Sequence, residues 1–190
     1  MKGYLLDTNL LIALLWPSHE KHDLALKWFT RHRAKGWATC PFTQAGFVRI
    51  VSNPAFSRDA VQPRDAVRVL TANTDAKDHA FWPDELPVAE AVTFTGVRLM
   101  GHQQVTDAYL LGLAIRRGGV LATLDQRIAA LTESKSAERK SLETVACAEK
   151  RVPFRCAVAT MACTCPVVSR GMCRPKICPD SSEILITFAP

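Results

Sequence analysis

Long apolar runs are missing from this sequence. No stretch approaches the roughly 18 uncharged apolar residues that a membrane-spanning helix needs. The N-terminal apolar segment contains Asp7 and Asn9, where the apolar region of a secretory signal should be unbroken, and no small-residue cleavage site follows it. We therefore expect neither a membrane span nor an export signal, and we expect a protein of the cytoplasm.

Cysteine is scarce in most of the chain, because only Cys40 among seven cysteines lies in residues 1–146. The other six crowd into residues 147–190, and none of their gaps gives the C-x₂-C spacing typical of zinc ligands. The cytosol keeps thiols reduced, so we do not expect a disulfide framework. We favour a poorly ordered, irregular Cys-rich tail over a structural zinc site.

A strong excess of one charge is also missing. The net charge of +6 divides into 18 Lys and Arg against 15 Asp and Glu in residues 1–146, and 6 against 3 in residues 147–190. An excess of this size is compatible with phosphate contacts but does not by itself indicate a nucleic-acid partner. Hydrophobic residues make up 48% and charged residues 22%, as in ordinary globular proteins.

Short apolar segments alternate with amphipathic segments through residues 1–146. The predicted strands are Gly3–Leu6, Trp37–Cys40, His79–Trp82 and Val120–Leu124. The predicted helices are Leu10–Trp16, one capped by Ser18, one opened by Thr43, one from Pro63, Pro87–Met100, and one capped by Thr106. This alternation predicts an α/β domain with a parallel sheet sandwiched between helices. We place a boundary after Ala146, and Ile184–Phe188 is the one strand-like run beyond it.

Three aspartates follow a pattern in these elements. Asp7 and Asp125 come directly after apolar strands, and Asp107 lies in the first turn of the helix predicted to start at Thr106. In open parallel sheets, ligands bind outside the carboxyl ends of the strands. Three carboxylates that converge there repel one another unless a cation lies among them, and hard oxygen ligands favour Mg²⁺ or Mn²⁺. Taken singly, each aspartate is equally well explained as a turn or cap residue.

Four segments, in this order along the chain, resemble the PIN-domain ribonucleases. They are residues 5–11 (LLDTNLL), 43–50 (TQAGFVRI), 105–111 (VTDAYLL) and 121–125 (LATLD). The likeness is greatest to the VapC-type toxins of bacterial toxin–antitoxin pairs, and residues 36–41 and 79–84 look typical of one branch of them. The resemblance extends over residues 3 to about 146.

This resemblance implies a homodimer that cleaves RNA endonucleolytically with Mg²⁺ or Mn²⁺ and is held by a small cognate antitoxin. By motif, Asp7, Asp107 and Asp125 would form the catalytic metal site, with Asn9 and Thr123 as supporting residues. A bound metal lowers the pKa of a water and offsets charge on the leaving oxygen, so no protein nucleophile is required.

One position departs from the family pattern. Many PIN domains carry a glutamate three residues after the threonine that matches Thr43, and Gly46 stands there. Gln44, Asp84 or Glu85 could supply an oxygen instead, and the sequence does not choose among them. Our hypothesis is one firmly held Mg²⁺, with a second site that stays weak until RNA phosphate adds ligands. The alternative is a PIN-like protein that binds RNA or a partner with little or no activity.

Other candidate residues give weaker signals. His19 and His22 have a metal-like spacing but lack further His or Cys partners, so an exposed helix face explains them better. Arg49 fits either a phosphate contact or an ordinary surface charge. A phosphatase whose aspartate is itself phosphorylated is disfavoured, because the haloacid dehalogenase pattern needs an aspartate where Asn9 stands.

Overall fold

The computed structural model describes residues 3–95, 101–102, 104–131 and 138–146. Five strands of three or four residues form its sheet: β1 (Tyr4–Leu6), β2 (Trp37–Thr39), β3 (His79–Phe81), β4 (Val120–Thr123) and β5 (Leu142–Thr144). All neighbours pair in parallel, in the order β3-β2-β1-β4-β5. The predicted α/β class with a parallel sheet is confirmed.

Six α-helices and three short 3₁₀ helices connect the strands. The α-helices are α1 (Thr8–Leu15), α2 (His22–His32), α3 (Pro41–Val51), α4 (Pro63–Thr74), α5 (Val88–Thr95) and α6 (Gln104–Arg116). The 3₁₀ helices are Arg33–Lys35, Gln126–Leu131 and Glu138–Ser141. Within the described residues, no helix is long and apolar enough to cross a membrane.

An apolar layer covers each face of the sheet. Successive strand residues point to opposite faces, so Leu6 of β1 packs with α1, α2 and α3, whereas Leu5 packs with α5 and α6. Both leucines are fully buried. The four tryptophans are buried in the same two layers. The sheet is therefore sandwiched between helices, as the sequence predicted.

Four predicted helix starts are wrong by a few residues, and the first is that of α1, which begins at Thr8 and not at Leu10. The chain turns through residues 17–21, where the His19 amide donates to the Trp16 carbonyl at 3.0 Å, so α2 begins at His22 and Ser18 does not cap it. Helix α3 begins at Pro41, because proline suits the first helical position. Helix α6 begins at Gln104, so Thr106 lies inside its first turn rather than at its cap.

The sequence analysis did not predict β5. This strand has a single buried apolar residue, Leu142, between polar ones, and it pairs with β4 at the edge of the sheet. The end of the helix predicted over Pro87–Met100 and all of residues 147–190 lie outside the described residues. The domain boundary after Ala146, the nature of the tail and the strand at Ile184–Phe188 therefore stay predictions.

Candidate active site

Asp7 connects the central strand β1 directly to helix α1. It is the single residue between Leu6 and Thr8, and its amide donates to the Ala122 carbonyl of β4 at 2.9 Å. Its carboxylate caps α1 by accepting the Thr8 amide at 2.6 Å. The side chain is 6% exposed, which is rare for a carboxylate. The backbone thus holds Asp7 at the carboxyl edge of the sheet.

Thr123 and Asn9 form a hydrogen-bond network around this carboxylate. The fully buried Thr123 hydroxyl donates to Asp7 Oδ2 at 2.7 Å, and it accepts from Asn9 Nδ2 at 3.1 Å and from the Asp125 amide at 3.0 Å. Asn9 Oδ1 accepts the Leu124 amide at 3.0 Å. Through these bonds the end of β4 is joined to the start of α1, and Asp7 is restricted in orientation.

The three predicted aspartates influence one another electrostatically. Burial raises the pKa of Asp7, against the hydrogen bonds from Thr123 and Thr8, and the charge of Asp125 raises it further. Burial, followed by the charges of Asp7 and Asp125, raises the pKa of Asp107 to about 6. Asp7, Asp107 and Asp125 therefore lie close enough for their charges to interact, although they are far apart in the sequence.

The carboxylate of Asp125 is engaged by an arginine that the sequence analysis missed. Arg127 Nη2 donates to Asp125 Oδ2 at 2.7 Å, and its Nε lies 3.1 Å from both carboxylate oxygens. The Arg127 amide also donates to Asp125 Oδ1 at 2.8 Å. These bonds hold the pKa of Asp125 below its ordinary value. The spacing Asp-x-Arg, where an aspartate begins a turn, is the sequence signal that could have indicated this pair.

A cavity of about 670 Å³ opens beside Asp7 and Asp107, which both line it. Its remaining wall combines the polar Thr8, Asn9 and Thr106, the basic His19 and Arg49, the small Ala45 and Gly46, and the apolar Ile12, Phe42, Ile50 and Phe56. Arg49 thus lies on the same cavity as the acids. His22 points elsewhere, with Nδ1 at 2.9 Å from the Ala13 carbonyl, so the two histidines do not form a ligand pair.

The residues of this edge suit a hard divalent cation in their chemistry. Asp7 and Asp107 offer carboxylate oxygens to one cavity, and their mutual repulsion is of the kind that a cation relieves. As the side chains are placed, however, no three His, Cys, Asp or Glu residues of the described ranges are close enough to hold a metal. Asp125 is turned to Arg127 instead.

Gly46 allows α3 to approach α1 closely. A Cβ atom at residue 46 would lie 2.8 Å from Thr8 Oγ1 and 2.9 Å from Thr8 Cγ2, closer than real contacts allow. A glutamate therefore does not fit beside Thr8 in its present position. Gln44, Asp84 and Glu85, which could have supplied an oxygen in place of that glutamate, are absent from the residues lining the cavity. Gln44 Nε2 donates to Thr39 at 2.9 Å, and Glu85 pairs with Arg117 at 3.0 Å.

Comparison with known proteins finds one family and several relatives. The PIN domain family matches residues 4–133. Ribonuclease VapC39 of Mycobacterium tuberculosis is 44% identical over 133 residues, which are 70% of this chain and 94% of that protein. Ribonuclease VapC38 of the same organism is 40% identical over 141 residues, 74% of this chain and 98% of that protein. The crystal structure of FitAcB from Neisseria gonorrhoeae aligns with a TM-score of 0.45 and 18% identity, covering 68% of this chain and 94% of that one.

Proposed function

Because this chain belongs to the PIN-domain family and matches VapC ribonucleases over nearly their whole length, we propose that it is a metal-dependent endoribonuclease, the toxin of a toxin–antitoxin pair. The observation that carries the proposal is that Asp7 and Asp107 line one cavity at the end of strand β1, with Asp125 near enough for its charge to raise the pKa of both. Carboxylates at a cavity whose pKa values are raised by burial and by neighbouring charges are typical of functional sites.

In the proposed mechanism, Asp7 and Asp107 would hold the catalytic divalent ion, Mg²⁺ or Mn²⁺, and Asp125 would complete the site. When bound, the cation supplies Lewis acidity to a water and to the scissile phosphate. Thr123 and Asn9 are supporting residues, because their hydrogen bonds restrict the Asp7 carboxylate to one orientation. Arg49 and His19 line the same cavity and would contact the RNA backbone there.

The proposal includes one firmly held ion per chain in the absence of RNA. Its support is Gly46, which contributes no side-chain oxygen and leaves no room for a longer side chain beside Thr8. A second ion would depend on ligands from the RNA phosphate. Isothermal titration of the RNA-free protein with Mn²⁺ should give one tight site, and two tight sites would contradict this part of the proposal.

The partners in this proposal are an RNA substrate, a cognate antitoxin and a second copy of the chain. The antitoxin would screen the acidic cavity, whose apolar wall of Ile12, Phe42, Ile50 and Phe56 can bury side chains of another protein. Growth arrest on expression, relieved by co-expression of the antitoxin, supports the toxin assignment. Sedimentation of the free protein tests the homodimer.

The central experiment compares RNA cleavage by Asp7→Asn and Asp107→Asn with that of the parent. Each variant keeps the shape of the side chain and removes a charged ligand, so cleavage with Mn²⁺ should fall by more than about 100-fold. Asp59→Asn, at an exposed loop position, serves as the control and should cleave like the parent. If both site variants cleave at the parental rate, the assignment of the site is wrong.

A further inference from the structure

Arg127 occupies the Asp125 carboxylate almost completely. A carboxylate offers about four acceptor positions, and three N–H groups of Arg127 contact it at 2.7 to 3.1 Å: the backbone amide, Nη2–H, and Nε–H, which is shared between the two oxygens. The Arg127 side chain is 82% exposed, and its ion pair with Asp125 is the contact that holds the guanidinium there. A metal ion that binds an oxygen of Asp125 therefore competes with the Arg127 guanidinium for that carboxylate.

Arg127 also acts on the rest of the acidic cluster. Its charge lowers the pKa of Asp107, against the effect of burial and of the other two aspartates. Lys21 acts on Asp125 in the same direction. In the metal-free protein, cations of the chain itself thus partly neutralise carboxylates that would otherwise repel one another.

We propose, on the basis of the function proposed above, that Arg127 is an internal counterion that metal displaces from Asp125 and that then contacts an RNA phosphate. A divalent cation among the aspartates repels the guanidinium and replaces its charge. The planar guanidinium binds phosphate with the same paired geometry as carboxylate, so the RNA backbone offers it an equivalent partner. Arg127 is in this sense a positioning residue that links metal binding to substrate binding.

Metal affinity in the absence of RNA gives the first test. Isothermal titration with Mn²⁺ compares the full-length parent with Arg127→Gln, which removes the competing charge and should bind Mn²⁺ roughly fivefold more tightly. Arg64→Gln is the control, because Arg64 is 84% exposed and its 3.9 Å contact with Asp65 lies outside the cavity lining. Its Mn²⁺ affinity should equal that of the parent.

RNA affinity gives the second test, and the opposite direction is expected. At saturating Mn²⁺ and with a labelled single-stranded RNA oligomer that the parent cleaves, Arg127→Gln should raise KM with little change in kcat. The slope of log KM against log salt concentration should shrink by about 0.7, the value for one lost phosphate contact to single-stranded nucleic acid. Arg127→Lys keeps the charge but loses the paired N–H groups of the guanidinium, so its changes in KM and in the salt slope should be intermediate.

The outcomes separate this proposal from the function on which it rests. If Arg127→Gln binds Mn²⁺ within twofold of the parent, or more weakly, Arg127 only fixes the Asp125 side chain and the inference is overturned. An unchanged KM and salt slope overturns it as well. Either result leaves the nuclease assignment intact so long as Asp7→Asn abolishes cleavage. Thermal unfolding of each variant shows that the compared proteins are folded.

Discussion

Replacement of Gly46 by alanine should show how closely α3 is packed against the start of α1. The added Cβ would lie 2.8 Å from Thr8 Oγ1 and 2.9 Å from Thr8 Cγ2. Thr8 is β-branched and follows Asp7 immediately, so its side chain has few alternative rotamers. The Thr8 amide also donates to the Asp7 carboxylate at 2.6 Å, and a shift of Thr8 therefore disturbs the proposed ligand.

Two opposing effects set the size of the change in stability. Inside a helix, alanine is favoured over glycine by about 1 kcal/mol. Overpacking a tight contact costs about 1–3 kcal/mol. In the parent, Gly46→Ala should therefore lower the free energy of unfolding by as much as about 2 kcal/mol, a fall of some 4–8 °C in Tm. RNA cleavage should fall together with Tm.

A double-mutant cycle with Thr8→Ala tests the cause. Thr8→Ala removes the two atoms that the new Cβ approaches most closely, and the next nearest atom, the Thr8 Cβ, lies at an ordinary 3.5 Å. In that background Gly46→Ala should stabilise the protein by up to about 1 kcal/mol, so the effect changes sign. Urea unfolding in EDTA measures all four proteins. If the two effects of Gly46→Ala agree within about 0.5 kcal/mol, the contact does not limit this position and the reasoning is refuted.

Two further predictions concern the carboxylate network. Thr123→Val removes a buried hydroxyl that Asp7 and Asn9 both use, so the free energy of unfolding should fall by about 1–3 kcal/mol, whereas Thr123→Ser should keep most of it; equal urea stability of the two variants would contradict this. The pKa of Asp107 is about 6 in the folded chain against an ordinary 3.8, so the metal-free protein should lose stability as pH rises through that interval. Above that pH interval, the free energy of unfolding of Asp107→Asn should be about 1–2 kcal/mol higher than that of the parent, a value reduced to allow for the partial exposure of Asp107; below the interval, the two should be equal. Thermal unfolding in EDTA that shows no such gain above the interval would exclude the effect.

The central part of the fold and of the site could be predicted from the sequence. Strands β1 and β4 are buried on both faces, so they read as continuous apolar runs, and each ends at an aspartate of the site. The position of Asp107 could be predicted because it lies near the start of a strongly apolar helix. The strands and the helix were predicted correctly because burial and chain position determine them locally, whereas the role of the three aspartates stays a prediction.

Strand β5 and the reason for Gly46 depend on contacts between distant segments. Strand β5 has little apolar pattern, but its Glu143 accepts the indole N–H of Trp28 from α2 at 2.6 Å. The absence of a glutamate at residue 46 is visible in the sequence, whereas its cause is Thr8 on another helix. Neither contact leaves a periodic signal in its own segment.

The exact helix starts depend on which local group caps the helix. Cys40 and Thr43 exchange hydrogen bonds at the start of α3, where Thr43 Oγ1 accepts the Cys40 amide at 3.0 Å. A threonine that looks like a cap thus lies inside the first turn, as Thr106 does in α6. Ser18 lies in a turn that ends before α2 begins. Several polar residues near a helix start compete for this role, and propensity alone does not rank them.

The order of the strands places Asp7 and Asp125 after inner strands and away from the edge strands of the sheet. Asp7 and Asp125 extend from β1 and β4, which each have a neighbour on both sides, whereas β3 and β5 have one neighbour and carry none of the three aspartates. Fraying, an insertion or a fused segment at β3 would act on backbone that does not position these carboxylates. Edge strand β3 is therefore the place to insert a tag or reporter without moving the aspartates that follow the inner strands.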